Sequence, residues 1–184
     1  MATAASLAID NEIPVQNVNY ETLKENLEAG GQILNYTAPP RPKANFTAID
    51  SLKGIVIDES TAHLEGPWRL SSLGQGIHQG YYHDGDARDG NATTKFSAKL
   101  LEGRKYDVQV AYSINGNRAT NVLVEITHAD GVSKLKLNQR KAPQVGGVFT
   151  SVGTFRFEKS GTVMISNKDT DGFVIIDAVR WLPK

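Results

Sequence analysis

Alternation of apolar and polar residues, which recurs from Ile49 to the end of the chain, is the feature that most limits the folds open to this sequence. Residues 106–112 (YDVQVAY) show it best, because every second side chain is large and apolar. Successive side chains of a β-strand point to opposite faces, so this period indicates strands with one buried face. Turn-forming residues separate the alternating segments, as at Asp89-Gly90-Asn91 and Asn115-Gly116-Asn117. The pattern predicts an all-β domain of about eight or nine short strands, folded as a two-sheet β-sandwich.

The positions of the strands follow from the same pattern. Residues 71–91 form the longest stretch with weak alternation, so we expect them to be a long loop that crosses between the sheets. Trp68, in the second predicted strand, is expected to be a core residue in preference to a binding platform. The predicted strands are residues 54–58, 63–70, 93–98, 106–112, 121–127, 133–137, 149–158, 161–166 and 173–181.

Two helices are predicted before the sandwich. Residues 2–10 are rich in alanine, and a second helix begins after the N-cap residue Asn19 and ends at Gly30-Gly31. A segment with three of the seven prolines follows, which favours an extended spacer. The predicted organisation is a short N-terminal helical appendage (residues 1–35), a proline-rich linker (36–47) and a β-sandwich domain (48–184).

Composition argues against several classes of function. Lys plus Arg and Asp plus Glu both number 20, so the net charge is zero and no nucleic-acid partner is expected. The chain has no cysteine, which excludes disulfides and thiolate metal sites. It has no apolar run long enough for a membrane span, and residues 1–10 lack the features of a signal peptide. Glycine-rich nucleotide motifs are missing too, so no cofactor is predicted.

The residues that most favour ligand binding lie in the segment 78–89 (HQGYYHDGDARD). Tyr81 and Tyr82 offer aromatic faces that can stack on sugar rings, and His83 and Asp84 offer hydrogen bonds to hydroxyl groups. Alternation turns one of the two rings inward, so at most one is expected to be a platform.

The same segment raises the question of a metal ion. His78, His83 and three aspartates lie close together in sequence, but their spacing matches neither a zinc site nor an EF-hand loop. A polar surface loop whose acids cap turns and pair with Arg88 is favoured. We therefore predict no metal in the chain.

A second candidate is the turn at residues 117–121 (NRATN). Arg118 can pair there with a ligand carboxylate, such as that of a uronic acid; alternatively it pairs with an acid such as Asp177 and locks two strands, which is the favoured role. Asn121 and Gln139 are further candidates, although a solvated loop is favoured for the segment around Gln139. No pair of carboxylates suited to glycoside cleavage stands out, so no catalytic residue is predicted.

Several short motifs, taken in order, resemble the golvesin C-terminal-like, or xanthan-lyase-associated, domain of bacterial proteins. The resemblance covers most of residues 50–183. It implies a jelly-roll-like β-sandwich with a carbohydrate-related binding role and no catalytic residue set. Such domains are appended to polysaccharide lyases and FAD-dependent oxidoreductases, which implies an extracellular or periplasmic location. The motifs are IVID (55–58), GYYHDG (80–85), NRATN (117–121), HADG (128–131), LNQRKAP (137–143), GTFRF (153–157) and TDGFVIIDAVRWLP (170–183).

Residues 3–34 are similar to the last segment of a family of FAD-dependent oxidoreductases. This resemblance implies that Met1 starts partway through a helix that closes a flavin domain. The flavin site and the catalytic domain would then lie upstream of this chain. A helix alone cannot hold FAD without its Rossmann sheet.

We therefore expect a non-catalytic accessory module that binds a polysaccharide or oligosaccharide. One alternative is a structural C-terminal domain of an FAD-dependent oxidoreductase with no ligand of its own, which would present a large apolar patch or form a tight homodimer. The least favoured alternative is a stand-alone lyase or hydrolase built on His83, Arg118 and Tyr82. The predicted binding residues are Tyr81, Tyr82, His83, Asp84, Arg118, Asn121 and Gln139.

Overall fold

The computed structural model describes residues 2–35, 37–38 and 45–184, and it divides the chain into two compact units, Met1–Arg41 and Pro42–Lys184. Most of the predicted proline-rich linker, residues 36–47, lies outside the described residues, but its last three residues form a strand, Asn45–Thr47. No helix of the described residues is both long and apolar enough to cross a membrane.

The N-terminal unit contains the two predicted helices, α1 (Ala2–Asp10) and α2 (Tyr20–Ala29). The Asn19 side chain accepts a hydrogen bond from the backbone N–H of Thr22 at 3.1 Å, which satisfies one of the free donors of the first turn. The Gly30 N–H bonds back to the Asn26 carbonyl, and Gly31 has a φ of 76°, a conformation that ends a helix at little cost for glycine. The sequence signals for α2 are therefore confirmed.

The second unit is an all-β sandwich, as the alternation predicts. One sheet has five antiparallel strands in the order β10-β9-β12-β7-β3, and the other has four in the order β11-β8-β14-β2. Two small sheets, β13-β6-β4 and β1-β5, complete the unit. The strands are β1 (Asn45–Thr47), β2 (Ile55–Asp58), β3 (His63–Glu65), β4 (Arg69–Ser71), β5 (Gln75–Ile77), β6 (Tyr81–His83), β7 (Thr93–Lys99), β8 (Lys105–Ala111), β9 (Val122–His128), β10 (Gly131–Leu137), β11 (Phe149–Arg156), β12 (Ser160–Ser166), β13 (Ile175–Ile176) and β14 (Ala178–Pro183).

The core lies between the two large sheets. Buried side chains of the five-stranded sheet, such as Phe96 and Val124, pack against Val108 and Trp181 of the four-stranded sheet. Burial of such side chains contributes roughly 1.5–3 kcal/mol each and is the main force that holds the sheets together. A second, smaller apolar cluster is separate from this core. It consists of Phe149, Ala111 and Ala178, on or beside strands of the four-stranded sheet, and Ile77 of β5.

Three predicted elements differ from the structure. Residues 63–70 form two strands, β3 and β4, because Gly66 (φ 86°) and Pro67 interrupt the extended chain. Residues 173–181 likewise divide into β13 and β14, which join different sheets on either side of Asp177. The predicted loop 71–91 contains two three-residue strands, β5 and β6, which are too short to show an alternating pattern.

Candidate functional site

A cleft of about 490 Å³ opens on the sandwich unit, and we call it the Arg118 cleft. Its walls come from the start of β5, the loop that follows β8 and the loop before β11. None of these segments is near another in sequence, so the sheet topology alone brings them together. The lining residues are Leu73, Gly74, Gln75, Gly76, Tyr81, Tyr112, Ser113, Ile114, Asn115, Arg118, Pro143, Gly147, Val148 and Asp177.

Among the described residues that line this cleft, Arg118 has the one cationic side chain. Its Nε donates to the Ser113 carbonyl at 3.2 Å, and Nη1 donates to Oδ1 of Asn117 at 3.0 Å. Nη2 donates to the Ser113 hydroxyl at 3.2 Å and to the Tyr81 hydroxyl at 3.4 Å. A guanidinium has five N–H donors, so one on Nη1 remains for a ligand.

No acid among the described residues forms an ion pair with Arg118. The side chain is only 9% exposed, yet no carboxylate of the described residues lies within 4.0 Å of it. The favoured expectation from sequence, an ion pair with Asp177, is therefore wrong. Asp177 lines the same cleft without forming that pair. Because a desolvated cation without a counter-charge is costly, the cleft favours an anionic ligand.

Tyr81 and Tyr82 do not provide an exposed stacking platform. The Tyr81 ring is buried, with the Cζ of Arg118 at 5.8 Å from its centroid. Burial tends to raise the pKa of Tyr81, but hydrogen bonds with Ser71 and Ser113 and the charge of Arg118 outweigh it and lower the pKa below its usual value. Tyr82 is half-buried and packs against the core. Tyr81 therefore reaches the cleft as a hydroxyl that supports Arg118.

Two exposed aliphatic side chains, and not the tyrosines, form an apolar surface at the rim of the cleft. Leu73 is 63% exposed and Ile114 is 48% exposed, and both line the cleft. Exposed aliphatic groups beside a polar floor suit the apolar face of a sugar ring. Sequence analysis missed both residues, because Leu73 lies in the stretch with weak alternation and Ile114 looks like an ordinary turn residue.

Two predicted contact residues are buried and hydrogen-bonded to other parts of the protein. The Asp84 carboxylate accepts hydrogen bonds from the backbone N–H groups of Asp86 and Val174 and from the Asn167 amide. The Gln139 amide bonds to both the N–H and the carbonyl of Ile175, at 2.8 and 2.7 Å. The expectation of a solvated loop around Gln139 is wrong for this side chain, because the amide replaces a missing strand partner.

His83 and Asn121 do not line the Arg118 cleft. His83 accepts a hydrogen bond from the Gly85 N–H and meets the Phe173 ring edge-on at 5.8 Å. Burial and the charges of Arg118 and Arg69 lower its pKa. Asn121 fixes the loop between β12 and β13. Its side-chain NH₂ donates to the Asp169 carbonyl, and its Oδ1 accepts from the Asp171 N–H.

The other two acids of the segment 78–89, Asp86 and Asp89, form local contacts. Asp86 forms a bidentate ion pair with Arg88 at 2.8 and 2.9 Å, and Asp89 accepts from the Asn91 N–H at 3.0 Å. This is the arrangement that the favoured sequence interpretation describes. Trp68 is half-buried, and its indole N–H donates to the Thr93 carbonyl at 3.0 Å, which agrees with a structural role.

One group of acids does lie close enough together to hold a cation. Asp58, Glu59 and Asp177 are all buried, and one carboxylate oxygen of each lies within 4.8 Å of one from each of the others. Burial, together with the charges of Asp58 and Asp177, raises the pKa of Glu59 to about 9. Burial also raises the pKa of Asp177 well above its usual range. Sequence analysis missed this group, because Asp177 is remote from the other two along the chain.

These features define a β-sandwich domain with a ligand-sized cleft. The family model of the golvesin C-terminal domain matches residues 55–182, so the chain belongs to that family. The predicted resemblance of the sandwich is thereby confirmed. The helical segment lies outside the matched residues, and its resemblance to FAD-dependent oxidoreductases stays a prediction.

The chain is similar to parts of several larger enzymes. A xanthan lyase from Bacillus sp. (strain GL1) is 31% identical over 150 residues, which cover 78% of this chain and 15% of the relative. The solved structure of a Paenibacillus xanthan lyase is similar with a TM-score of 0.63 and 28% identity, over 71% of this chain and 13% of that one. A Podospora anserina GH26-CBM35 β-(1,4)-mannanase matches at 17% identity and a TM-score of 0.52, over 72% and 28% of the two chains. This chain therefore spans a small part of the length of the relatives it matches.

Proposed function

We propose that this chain is a non-catalytic accessory module that binds an acidic polysaccharide or oligosaccharide in the Arg118 cleft. The observation that carries the proposal is the buried Arg118 guanidinium, which faces the cleft without a carboxylate partner among the described residues. A carboxylate on the ligand would accept the free N–H and balance the charge. The xanthan lyase similarity supports the choice of a polysaccharide as the ligand class.

In this proposal the rim of the cleft contacts the sugar ring, and Arg118 binds the negative charge of the ligand. Leu73 and Ile114 offer apolar contact to a sugar ring, and Asn115 offers hydrogen bonds beside them. Arg118 selects for negative charge, because charge-assisted hydrogen bonds are roughly twice as strong as neutral ones. The predicted contacts through Asp84 and Gln139 are not part of this proposal, since both side chains are occupied inside the protein.

The structure does not support the hypothesis of a stand-alone lyase. Of the three residues that this hypothesis needs, Arg118 lines the cleft, whereas Tyr82 and His83 are not among its lining residues. The proposal therefore assigns no catalytic residue to this chain.

The test measures binding of matched acidic and neutral oligosaccharides by calorimetry, with xanthan fragments first. We expect Arg118→Gln to weaken binding of the acidic ligand about 10–100-fold, the value of one charge-assisted hydrogen bond of about 1.5–3 kcal/mol. Arg104→Ala is the matched control, because it removes the same charge from an exposed residue outside the cleft. This control should bind like the wild type.

A second variant covers the case in which Arg118→Gln fails to fold. Leu73→Asp changes an exposed side chain, so it should fold normally while it repels an anionic ligand from the rim. If the folded wild type binds no oligosaccharide, the proposal is wrong and the structural alternative takes its place. Equal binding by wild type and both cleft variants would place the ligand elsewhere.

A further inference from the structure

Strand pairing assembles the three buried acids at one edge of the four-stranded sheet. Asp58 is the last residue of β2, and Glu59 follows it at the start of a short 3₁₀ helix. β2 pairs with β14 so that Ala178 lies opposite Asp58, which places Asp177 beside both acids. The Glu59 N–H also donates to the Asp177 carbonyl at 2.7 Å, so the backbone holds the group in place.

The hydrogen bonds around the three carboxylates leave oxygens unused. Asp58 Oδ1 accepts from the Ser60 N–H and hydroxyl, and both oxygens of Asp177 accept from the Ile77 N–H. No donor of the described residues bonds to Asp58 Oδ2 or Glu59 Oε2, both of which are buried. Buried polar atoms are nearly always satisfied, so two such oxygens in one place indicate a missing partner.

No cationic side chain in the described part of the chain supplies that partner. Among residues 2–35, 37–38 and 45–184, no Lys, Arg or His forms an ion pair with Asp58, Glu59 or Asp177. Glu59 is 4% exposed, so water does not screen the repulsion among the three acids. Like charges in a site of low dielectric are strongly unfavourable unless a counter-ion or a proton neutralises them.

We propose that Asp58, Glu59 and Asp177 form a binding site for a calcium ion. The ligands are all carboxylate oxygens, which hard divalent cations prefer, and no histidine or cysteine is present to favour a softer metal. A spread of oxygens within 4.8 Å is compatible with calcium–oxygen distances of about 2.3–2.6 Å. Magnesium requires about 2.0–2.1 Å and a near-ideal octahedron, which is harder to form with three acids whose backbone positions are fixed.

A proton is the rival occupant of this site. The raised pKa of Glu59 means that in the absence of metal this carboxyl is neutral near pH 7. A protonated Glu59 would remove one negative charge without any ion. The experiment must therefore separate calcium binding from simple protonation.

The test titrates calcium chloride into the EDTA-treated chain at pH 8 by calorimetry and follows thermal unfolding in parallel. We expect one calcium site per chain and a rise in Tm of about 5–10 °C at a hundredfold excess over Kd. Magnesium chloride at the same concentration should produce a smaller rise. A wild-type protein with neither a heat of binding nor a Tm rise would overturn the proposal and leave the proton as the occupant.

Matched variants locate the ion. Glu59→Gln keeps the size of the side chain and removes one carboxylate ligand, so it should lose the heat of calcium binding and the calcium-dependent rise in Tm. Without metal, this variant should unfold at or above the Tm of the metal-free wild type. Asp86→Asn is the control, because it removes a carboxylate from the acidic loop 78–89 and should leave the response unchanged. Loss of the response in Asp86→Asn, or its retention in Glu59→Gln, would show that calcium binds elsewhere and would refute this site.

Discussion

Replacement of Asp84 by asparagine tests whether this predicted contact residue serves the ligand or the fold. Asp84 is 2% exposed, and its carboxylate joins three parts of the chain. Oδ1 accepts from the Val174 N–H at 2.9 Å and from the Asp86 N–H at 3.1 Å, while Oδ2 accepts from the Asn167 amide at 3.0 Å. A buried acceptor with three donors is a structural junction.

The cost of Asp84→Asn follows from this geometry. An asparagine has one acceptor oxygen, so in either orientation its NH₂ group faces at least one donor of the protein. One or two hydrogen bonds to a charged acceptor, each worth about 1.5–3 kcal/mol, are lost, and a donor is left unsatisfied. We expect a loss of about 3–5 kcal/mol in the free energy of unfolding, a large share of the roughly 5–15 kcal/mol typical of a domain.

Urea unfolding followed by circular dichroism measures this loss. The midpoint should fall by about 1–3 M urea in Asp84→Asn, and the affinity of the folded fraction for an acidic oligosaccharide should stay unchanged. Asp86→Asn is the control, because Asp86 pairs with Arg88 at the surface and such pairs contribute little. If Asp84→Asn keeps wild-type stability and loses oligosaccharide binding, then Asp84 is a ligand contact and the structural argument fails.

Two further predictions concern the acid group and the cleft. The pKa of Glu59 rises from 4.5 to about 9 on folding, so between those pH values the folded chain keeps a proton that the unfolded chain releases. The free energy of unfolding of the metal-free chain should therefore fall as the pH rises, by up to about 1.4 kcal/mol per pH unit. Glu59→Gln should flatten this pH dependence in urea unfolding at pH 5.5, 7 and 8.5 with EDTA, and equal slopes for wild type and variant would contradict the prediction. A Cβ on Gly172 would lie 2.7–2.8 Å from backbone atoms of Asn117 and Arg118, so Gly172→Ala should cost about 1–3 kcal/mol and weaken acidic ligand binding. Gly116→Ala, which meets nothing within 4 Å, should be neutral in both assays.

The long strands of the sandwich could be predicted from sequence because each is half-buried and long enough to repeat its pattern. β7 shows this clearly, since Phe96 and Ala98 are buried while Lys95 and Lys99 are exposed. The short strands β5 and β6 could not be predicted, because three residues contain too little alternation to be distinguished from a loop. Their pairing depends on neighbours that are distant in sequence, such as β13 for β6.

The binding residues were harder to predict for a related reason. Sequence composition identifies residues that are able to bind a ligand, but burial decides whether they are free to do so. Asp84 and Gln139 have the right chemistry, and the fold uses both to satisfy backbone groups. Arg118 is a predicted candidate that lines the cleft, but its lack of an acid partner among the described residues becomes evident only when the positions of those acids are known.

Asp177 belongs to both proposed sites. Each site combines it with residues that are distant in sequence, so neither site forms a local motif. Its carboxylate accepts from the Ile77 N–H, and its Oδ2 would lie 2.9 Å from a Cβ placed on Gly76, so it packs against the β5 wall of the Arg118 cleft. The same carboxylate belongs to the calcium group with Asp58 and Glu59. If the three acids were left without a cation or a proton, their repulsion would act directly on the residue that positions β5. We therefore expect neutralisation of the acid group, by an ion or by a proton, to stabilise the cleft wall.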